Sequence, residues 1–353
     1  MKILAIESSC DETGASVIER KDSIISVLSN KLATSSQMHA ETGGIIPENA
    51  AREQIKAIIP IITSALLKSK NIENKNTIKD FQNAKKILSE DIDAIAVTYG
   101  PGLIGSLLVG VETAKTLSYA FHKPLIPVNH LTAHIYANFI NKTGNDINLP
   151  FIGLIVSGGH TDLLYFKSHT DFTWLGGTRD DAAGEAIDKI GRMIGLPYPA
   201  GPELEKRALN VTNPEIKFQS PLLNSNDFDF SFSGLKAEVM RFVKSHTLTE
   251  DLKNQICYAT QKSIITVLVK KTIKAAMQYN CETILIGGGV SANQTLMGHF
   301  QLAIRKSQLL IQIFAPQKEF ATDNAAMIGA YALMNGEEKN WEEVKSNPEL
   351  YFA

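Results

Sequence analysis

The sequence contains few cysteines, no long apolar run and no excess of charge of one sign. Its three cysteines, Cys10, Cys257 and Cys281, are odd in number and lack the close spacing of a CxxC metal or redox motif. They favour a reducing compartment, and we expect a cytoplasmic protein. No stretch reaches the roughly 18 apolar residues of a membrane span, and the apolar run that Glu7 ends is too short for a signal peptide. We therefore expect no membrane association.

The overall charge also restricts the partners. The chain has 35 basic and 37 acidic residues, a formal net charge of -2. Because such a chain has no general basic field, a nucleic acid would have to bind at a local patch or on another subunit. The hydrophobic fraction of 44% is typical of a folded globular protein. At about 150 residues per domain, the length predicts two domains.

The two halves of the chain repeat one order of predicted elements. Each runs strand, polar glycine-containing turn, two further strands, helix, strand and helix, as in a duplicated α/β unit. The loop 141–150 is rich in turn formers and marks the boundary. We predict an N-terminal domain at 1–145 and a C-terminal domain at 146–353, with a polar insertion at about 201–250. Such folds bind ligands in an interdomain cleft, where an acyl phosphate or a nucleotide is expected.

The segment HLTAH places two histidines, His130 and His134, at positions i and i+4 of a predicted helix. Side chains at this spacing share a face and can bind one metal ion together. Two partly exposed helix histidines without a metal are the alternative. Asp323 is a plausible third ligand. A metalloprotease HExxH motif is excluded, because Leu131 occupies the position of its glutamate general base.

Two glycine-rich turns follow predicted buried strands. In Ser157-Gly158-Gly159-His160-Thr161 the missing side chains would let the backbone approach a phosphate or carboxylate. A tight hairpin that merely needs positive φ is the alternative. Gly287-Gly288-Gly289 repeats the arrangement before a helix that carries Asn293, which suits a nucleotide. Neither turn matches a Walker A loop, which ends in Gly-Lys-Ser/Thr.

Carboxylates cluster at two further places. Asp181, Glu185 and Asp188 have the spacing i, i+4, i+7 and would stack along one helix face, where like charges repel unless nearby basic residues compensate. A solvated helix face and a ribose bound to Asp188 are the two interpretations. Asp11 and Glu12 lie in the first hairpin turn, and the local sequence explains them equally well as turn residues.

Together these motifs make the chain similar, over essentially its whole length, to the tRNA N6-adenosine threonylcarbamoyltransferases. This family was formerly described as O-sialoglycoprotein endopeptidases. The segments that carry the resemblance are ESSCDETGASV (7–17), HAETGGIIPENAAREQ (39–54), YGPGLIGSLLVG (99–110), HLTAH (130–134), VSGGHTDLL (156–164), DDAAGEAIDKIGRMIGLPYPAGP (180–202), FSFSGLK (230–236), GGGVSANQTL (287–296) and TDNAAM (322–327). The resemblance implies an α/β fold of two duplicated domains of the actin, sugar kinase and Hsp70 ATPase type.

The resemblance also implies an activity: transfer of the threonylcarbamoyl group from threonylcarbamoyl-adenylate to the N6 amine of adenosine 37, in tRNAs reading codons that begin with A, with release of AMP. One divalent ion, Fe2+ or Zn2+, would be held by His130, His134 and Asp323. Asp11 or Glu12 would accept the amine proton. The implied partners are tRNA, a paralogous inactive subunit and a P-loop ATPase. The implied donor-binding residues are Ile155, Val156, Ser157, Gly158, Gly159, Asp188, Gly201 and Asn293.

Two functions of other classes remain open from the sequence. A small-molecule kinase or ATPase on the same scaffold would transfer the γ-phosphate of ATP and would not need the histidine pair. A non-catalytic paralogous subunit would keep the fold and lose site residues.

Two surfaces are predicted to bind partners. A tRNA patch is expected where Lys236 lies beside Phe230 and Phe232 and is followed by Arg241, Lys244 and Lys253. Burial of the two phenylalanines in a strand is the alternative. The apolar side of a helix at 48–67, which includes Ile59, is predicted to pack against the paralogous subunit.

Overall fold

The computed structural model describes residues 1–34, 46–75, 77–143 and 146–352. They form two compact units, each built around a five-stranded sheet. Unit 1 consists of residues 1–147 and 322–353, and unit 2 of residues 148–321. Residues 39–45 of the HAETGGIIPENAAREQ motif lie outside the described residues.

The sheet of unit 1 has the strand order β3-β2-β1-β4-β5. β1 pairs antiparallel with β2 and parallel with β4, which is parallel to β5. Ile3, Leu4, Ala5 and Ile6 of β1 are fully buried, as expected for a central strand covered on both faces. The strands are β1 (Lys2–Glu7), β2 (Glu12–Lys21), β3 (Ile24–Thr34), β4 (Ala94–Gly100) and β5 (Leu125–Asn129). The helices that follow them are α1 (Pro47–Ser69), α2 (Ile78–Asp91), α3 (Ile104–Phe121) and α4 (His130–Tyr136).

The sheet of unit 2 has the strand order β10-β9-β6-β7-β8. The strands are β6 (Phe151–Val156), β7 (Thr161–Phe166), β8 (Phe172–Gly177), β9 (Thr283–Gly287) and β10 (Gln312–Phe314). The helices are α5 (Ala183–Met193), α6 (Gly201–Ala208), α7 (Ser233–Lys244), α8 (Glu250–Gln278), α9 (Gln294–Lys306) and α10 (Lys318–Ala321).

The two sheets have the same topology. β6 pairs antiparallel with β7 and parallel with β9, as β1 pairs with β2 and β4. Each unit therefore contains three consecutive antiparallel strands, and two later strands that run parallel to the first of them. The predicted α/β fold of duplicated units is confirmed. Within residues 201–250, where the polar insertion was predicted, a long segment (209–232) joins α6 to α7 and a short one (245–249) joins α7 to α8.

The carboxyl-terminal segment differs from the predicted domain division. A domain at 146–353 was expected, but residues 322–353 belong to unit 1. The reason is α11 (Ala325–Asn335), which packs on β1, β2 and α4. Gly329 makes this close packing possible, because a Cβ there would lie 2.2 Å from Ile18 Cγ2 and 3.3 Å from Ala5 Cβ.

In the described part of the chain, no helix is long and apolar enough to cross a membrane.

Candidate functional site

The parallel strands of unit 1 bring polar residues to one edge of the sheet. β1 ends at Glu7, Thr98 lies near the end of β4, and α4 begins at His130 directly after β5. Because parallel strands end at the same edge, these residues become neighbours. The side chain of Asn129 starts α4 by accepting hydrogen bonds from the N–H groups of Leu131 (2.8 Å) and Thr132 (3.3 Å).

His130, His134 and Asp323 form one group at this edge. Asp323 Oδ1 lies 3.3 Å from His134 Nε2 and 3.7 Å from His130 Nε2. The three potential ligand atoms all lie within 4.8 Å of one another. Both histidine side chains are buried, whereas the side chain of Asp323 is 25% exposed. The structure thus brings together the three residues that the resemblance implies as metal ligands.

The chemistry of this group fits a divalent cation. Both ring nitrogens of His134 are buried, and neither makes a hydrogen bond to a described residue. Leaving a buried polar atom unsatisfied costs about 1–3 kcal/mol. Two imidazole nitrogens and one carboxylate oxygen are a donor set that both zinc and non-haem iron accept. A cation bound by Asp323 would therefore give His134 Nε2 a partner.

Glu7 is a site residue that the sequence analysis missed. Its side chain is buried, and its Oε2 lies 3.1 Å from His130 Nδ1. Burial alone would lower the pKa of His130, but the carboxylates of Glu7 and Asp323 outweigh it and raise that pKa to about 9. Burial likewise opposes ionisation of Glu7, yet His130 holds the pKa of Glu7 below its usual value. Its position as a charged residue at the end of the apolar run 3–6 was the signal in the sequence that could have identified Glu7.

The turn between β1 and β2 carries Asp11 and Glu12. Gln54 of α1 holds this turn, because its amide group donates to the carbonyls of Cys10 (3.0 Å) and Glu12 (2.9 Å). Burial, followed by the charge of Asp323, raises the pKa of Glu12 to about 10.

In unit 2, the turn after β6 presents two open glycines. Gly158 and Gly159 are exposed, and neither has a φ in the left-handed region. A Cβ at either position would meet no atom within 4 Å. The hairpin alternative, in which these glycines supply positive φ, is therefore wrong. Ser157 closes the turn, since its N–H donates to the carbonyl of His160 (2.8 Å) and its Oγ accepts from the N–H of His160 (3.1 Å).

Two other glycines bring further backbone next to this turn. Gly184 lies in the first turn of α5, and a Cβ there would lie 2.5 Å from the carbonyl oxygen of Ser157. Gly288 has a φ of +91°, and a Cβ there would lie 2.5 Å from the carbonyl oxygen of Val156. The end of β6, which includes Ile155, the start of α5 and the turn after β9 therefore meet around the open glycines. A helix start of this kind suits an anion.

The remaining predicted donor-binding residues have partners inside the protein. Asp188 Oδ1 accepts a hydrogen bond from the N–H of Ala200 (2.7 Å), which places Asp188 beside Gly201 at the start of α6. Burial raises the pKa of Asp188 above its usual value. Asn293 caps α9 by accepting from the N–H of Leu296 (2.8 Å) and lines a cavity of about 390 Å3.

The predicted stack of three carboxylates is wrong. Asp181 precedes α5, which begins at Ala183, and therefore does not share a helix face with Glu185 and Asp188. Lys189 Nζ lies 2.7 Å from a carboxylate oxygen of both Asp181 and Glu185. These ion pairs supply the compensation that the sequence analysis required.

The predicted aromatic tRNA patch is also wrong. Phe230 and Phe232 are fully buried in the core of unit 2, so neither ring can stack on an RNA base. Lys236 Nζ binds the Asp181 carboxylate at 2.5 Å. In the FSFSGLK segment (230–236), the two phenylalanines therefore belong to the core, and Lys236 pairs with a residue just before α5.

Comparison with known proteins identifies the family. The sequence model described as tRNA N6-adenosine threonylcarbamoyltransferase matches residues 26–330. The chain belongs to this family. It is similar to the tRNA N6-adenosine threonylcarbamoyltransferase of Moorella thermoacetica, with 44% identity over 94% of this chain and 90% of the relative. The relative of the same name from Lacticaseibacillus casei is 40% identical over 99% of this chain and 97% of its own length. The chain is thus a tRNA-modifying transferase, and the kinase and non-catalytic alternatives are not favoured.

Solved structures support the fold. The chain resembles the crystal structure of T. kodakarensis HypF with a TM-score of 0.56 and 12% identity, covering 94% of this chain and 47% of that one. A second HypF structure gives a TM-score of 0.50 at 14% identity, covering 72% of this chain and 49% of that one. The chain thus spans about half the length of these neighbours, and at this identity the likeness concerns the fold alone.

Proposed function

We propose that this chain transfers the threonylcarbamoyl group of threonylcarbamoyl-adenylate to the N6 amine of adenosine 37 in tRNAs that read codons beginning with A, releasing AMP. The observation that carries the proposal is the group of two buried histidines, His130 and His134, with Asp323 in a member of this family. A small-molecule kinase has no need of such a group.

The three residues of that group would hold one divalent ion, Fe2+ or Zn2+. The lone pair of the adenine amine is delocalised into the ring, so the amine is a weak nucleophile. A bound cation supplies Lewis acidity and a fixed position for the threonylcarbamoyl group. His130 and His134 would offer Nε2, and Asp323 would offer Oδ1.

The donor would be bound by backbone and side chains of unit 2. We assign its phosphate to the backbone around Gly158 and Gly159, flanked by Ile155, Val156 and Ser157. The open space above both glycines supports this assignment, because nothing inside the described protein explains the absence of side chains there. Asp188, Gly201 and Asn293 would contact the rest of the nucleotide.

Asp11 and Glu12 are the proposed proton acceptors for the N6 amine. Gln54 supports this assignment, because it holds the backbone of the turn that carries both residues. Asp11→Asn should abolish transfer without loss of metal content, if Asp11 is the acceptor. Glu12→Gln tests the other carboxyl in the same way.

Partner subunits complete the proposed activity. We propose a paralogous inactive subunit and a P-loop ATPase as protein partners, and a cytoplasmic location because tRNA is modified there. The exposed side of α1 supports a protein contact, since Ile55 is 64% and Ile59 44% exposed.

The proposal is tested by incubating the purified protein and its partners with threonylcarbamoyl-adenylate and unmodified tRNA. Mass spectrometry of the digested nucleosides should show threonylcarbamoyladenosine in the wild type. His134→Ala should show a loss of at least about 100-fold. Wild-type protein that forms no modified nucleoside, but transfers the γ-phosphate of ATP to a small molecule, would support the kinase instead.

A further inference from the structure

We propose that Glu7 is a positioning residue for the group His130, His134 and Asp323: its carboxylate holds the Nδ1–H of His130 and so leaves Nε2 as the ring nitrogen that faces a cation beside Asp323. This inference rests on the proposed metal site and extends it to a residue outside the ligand set.

The contacts of Glu7 define its role. The side chain is fully buried. Oε1 accepts a hydrogen bond from the N–H of Ser9 (2.6 Å), and Oε2 accepts one from the hydroxyl of Thr98 and lies 3.1 Å from His130 Nδ1. A carboxylate has no proton to donate, so the hydrogen bond to His130 requires a proton on Nδ1.

The opposite nitrogen of the ring then has a defined state. With the Nδ1–H held by Glu7, Nε2 is the nitrogen whose lone pair a cation would use, and it lies 3.7 Å from Asp323 Oδ1. The hydrogen bond also fixes the ring orientation and raises the basicity of Nε2. Loss of such an outer partner typically lowers metal affinity about 10- to 100-fold.

A purely structural role predicts different behaviour. Glu7 also holds Ser9 and Thr98, so its removal destabilises the end of β1 in any case. Glu7→Gln separates the two roles. The glutamine side chain can take two orientations. In the first, its amide oxygen accepts from the N–H of Ser9 and its NH2 group donates to His130 Nδ1, so that the ring proton moves to Nε2. In the second, its NH2 group faces the N–H of Ser9, and the hydrogen bond to Ser9 is lost.

Thr98→Val provides the matched control. It removes one hydrogen bond to Glu7 and leaves the contact between Glu7 and His130 in place. Zn2+ affinity is measured for wild type and both variants by competition with a chromophoric chelator, and thermal unfolding is recorded in parallel. We expect Glu7→Gln to weaken Zn2+ binding about 10- to 100-fold. Thr98→Val should lower the melting temperature while Zn2+ affinity changes less than about threefold.

Equal losses of affinity in the two variants, or an unchanged affinity in Glu7→Gln, would overturn the positioning role. Wild-type protein that binds no Zn2+ at a site sensitive to His134→Ala would instead reject the metal site itself, so the two failures are distinguishable. If Glu7→Gln does not fold, 15N NMR of histidine-labelled, Zn2+-loaded wild type decides the question. A proton on Nδ1 of His130 supports the proposal, and a proton-free Nδ1 contradicts it.

Discussion

The open glycines of unit 2 allow stability and ligand binding to be separated. A Cβ at Gly158 would meet no described atom within 4 Å, and the backbone there is not left-handed. Gly158→Ala should therefore leave the free energy of unfolding unchanged or raise it by up to about 1 kcal/mol, since alanine restricts the unfolded chain. If the donor phosphate approaches this backbone, the same methyl group overpacks the complex at a cost of about 1–3 kcal/mol, which is roughly 5- to 150-fold in affinity.

Two further glycines serve as controls for this variant. Gly234 in α7 also has open space around its Cβ position and is not a proposed donor contact. Gly234→Ala should raise stability by up to about 1 kcal/mol without changing nucleotide affinity, because alanine restricts the unfolded chain. Gly184→Ala should destabilise unit 2, because its Cβ would lie 2.5 Å from the Ser157 carbonyl oxygen. Urea unfolding gives the stabilities, and isothermal titration calorimetry with AMP gives the affinities. Unchanged AMP affinity in Gly158→Ala would refute the phosphate assignment.

Three other predictions concern a buried carboxyl, the core and the subunit contact. Burial raises the pKa of Asp162 to about 6 against the hydrogen bond from Trp174, so the folded state binds this proton more tightly than the unfolded state. The protonated carboxyl of Asp162 therefore contributes to stability fully below about pH 4, and this contribution is lost as the pH rises through 6. Urea unfolding across this pH range should show the decline in the wild type and not in Asp162→Asn. Phe232→Ala should cost about 3–5 kcal/mol of unfolding free energy, and a tRNA-specific defect with normal stability would contradict its place in the core. Ile59→Lys should weaken association with the paralogous subunit in light scattering while the melting temperature changes little, and an intact complex would place the contact elsewhere.

The repeat of elements was predictable because strand and helix periodicity is local. Each half shows short apolar strands around a glycine turn, followed by helix and strand. The packing of α11 on β1 and β2 was not predictable, because chain order placed it after the second sheet and only the close fit of Gly329 against Ile18 reveals its position.

The site was predictable where its residues are close in the sequence. The spacing of His130 and His134 follows from one helix turn, and Asp323 was a plausible third ligand from its place before a predicted helix, which the resemblance then implied as well. Glu7 lies 123 residues from His130, and only the parallel pairing of β1, β4 and β5 brings its strand end near that histidine. The alternation of Phe230 and Phe232 was compatible with an exposed tRNA patch and with a buried strand. Both side chains are buried, which only the tertiary packing of unit 2 reveals.

The most direct test of the account removes the ion from the site. Protein treated with a chelator and dialysed should contain less than about one tenth of its metal and should form no threonylcarbamoyladenosine on tRNA. Adding back one equivalent of Zn2+ or Fe2+ should restore both metal content and product in the wild type, but not in His134→Ala. Full activity in metal-free protein, or equal restoration in His134→Ala, would contradict the proposal that His130, His134 and Asp323 hold the ion that the transfer requires.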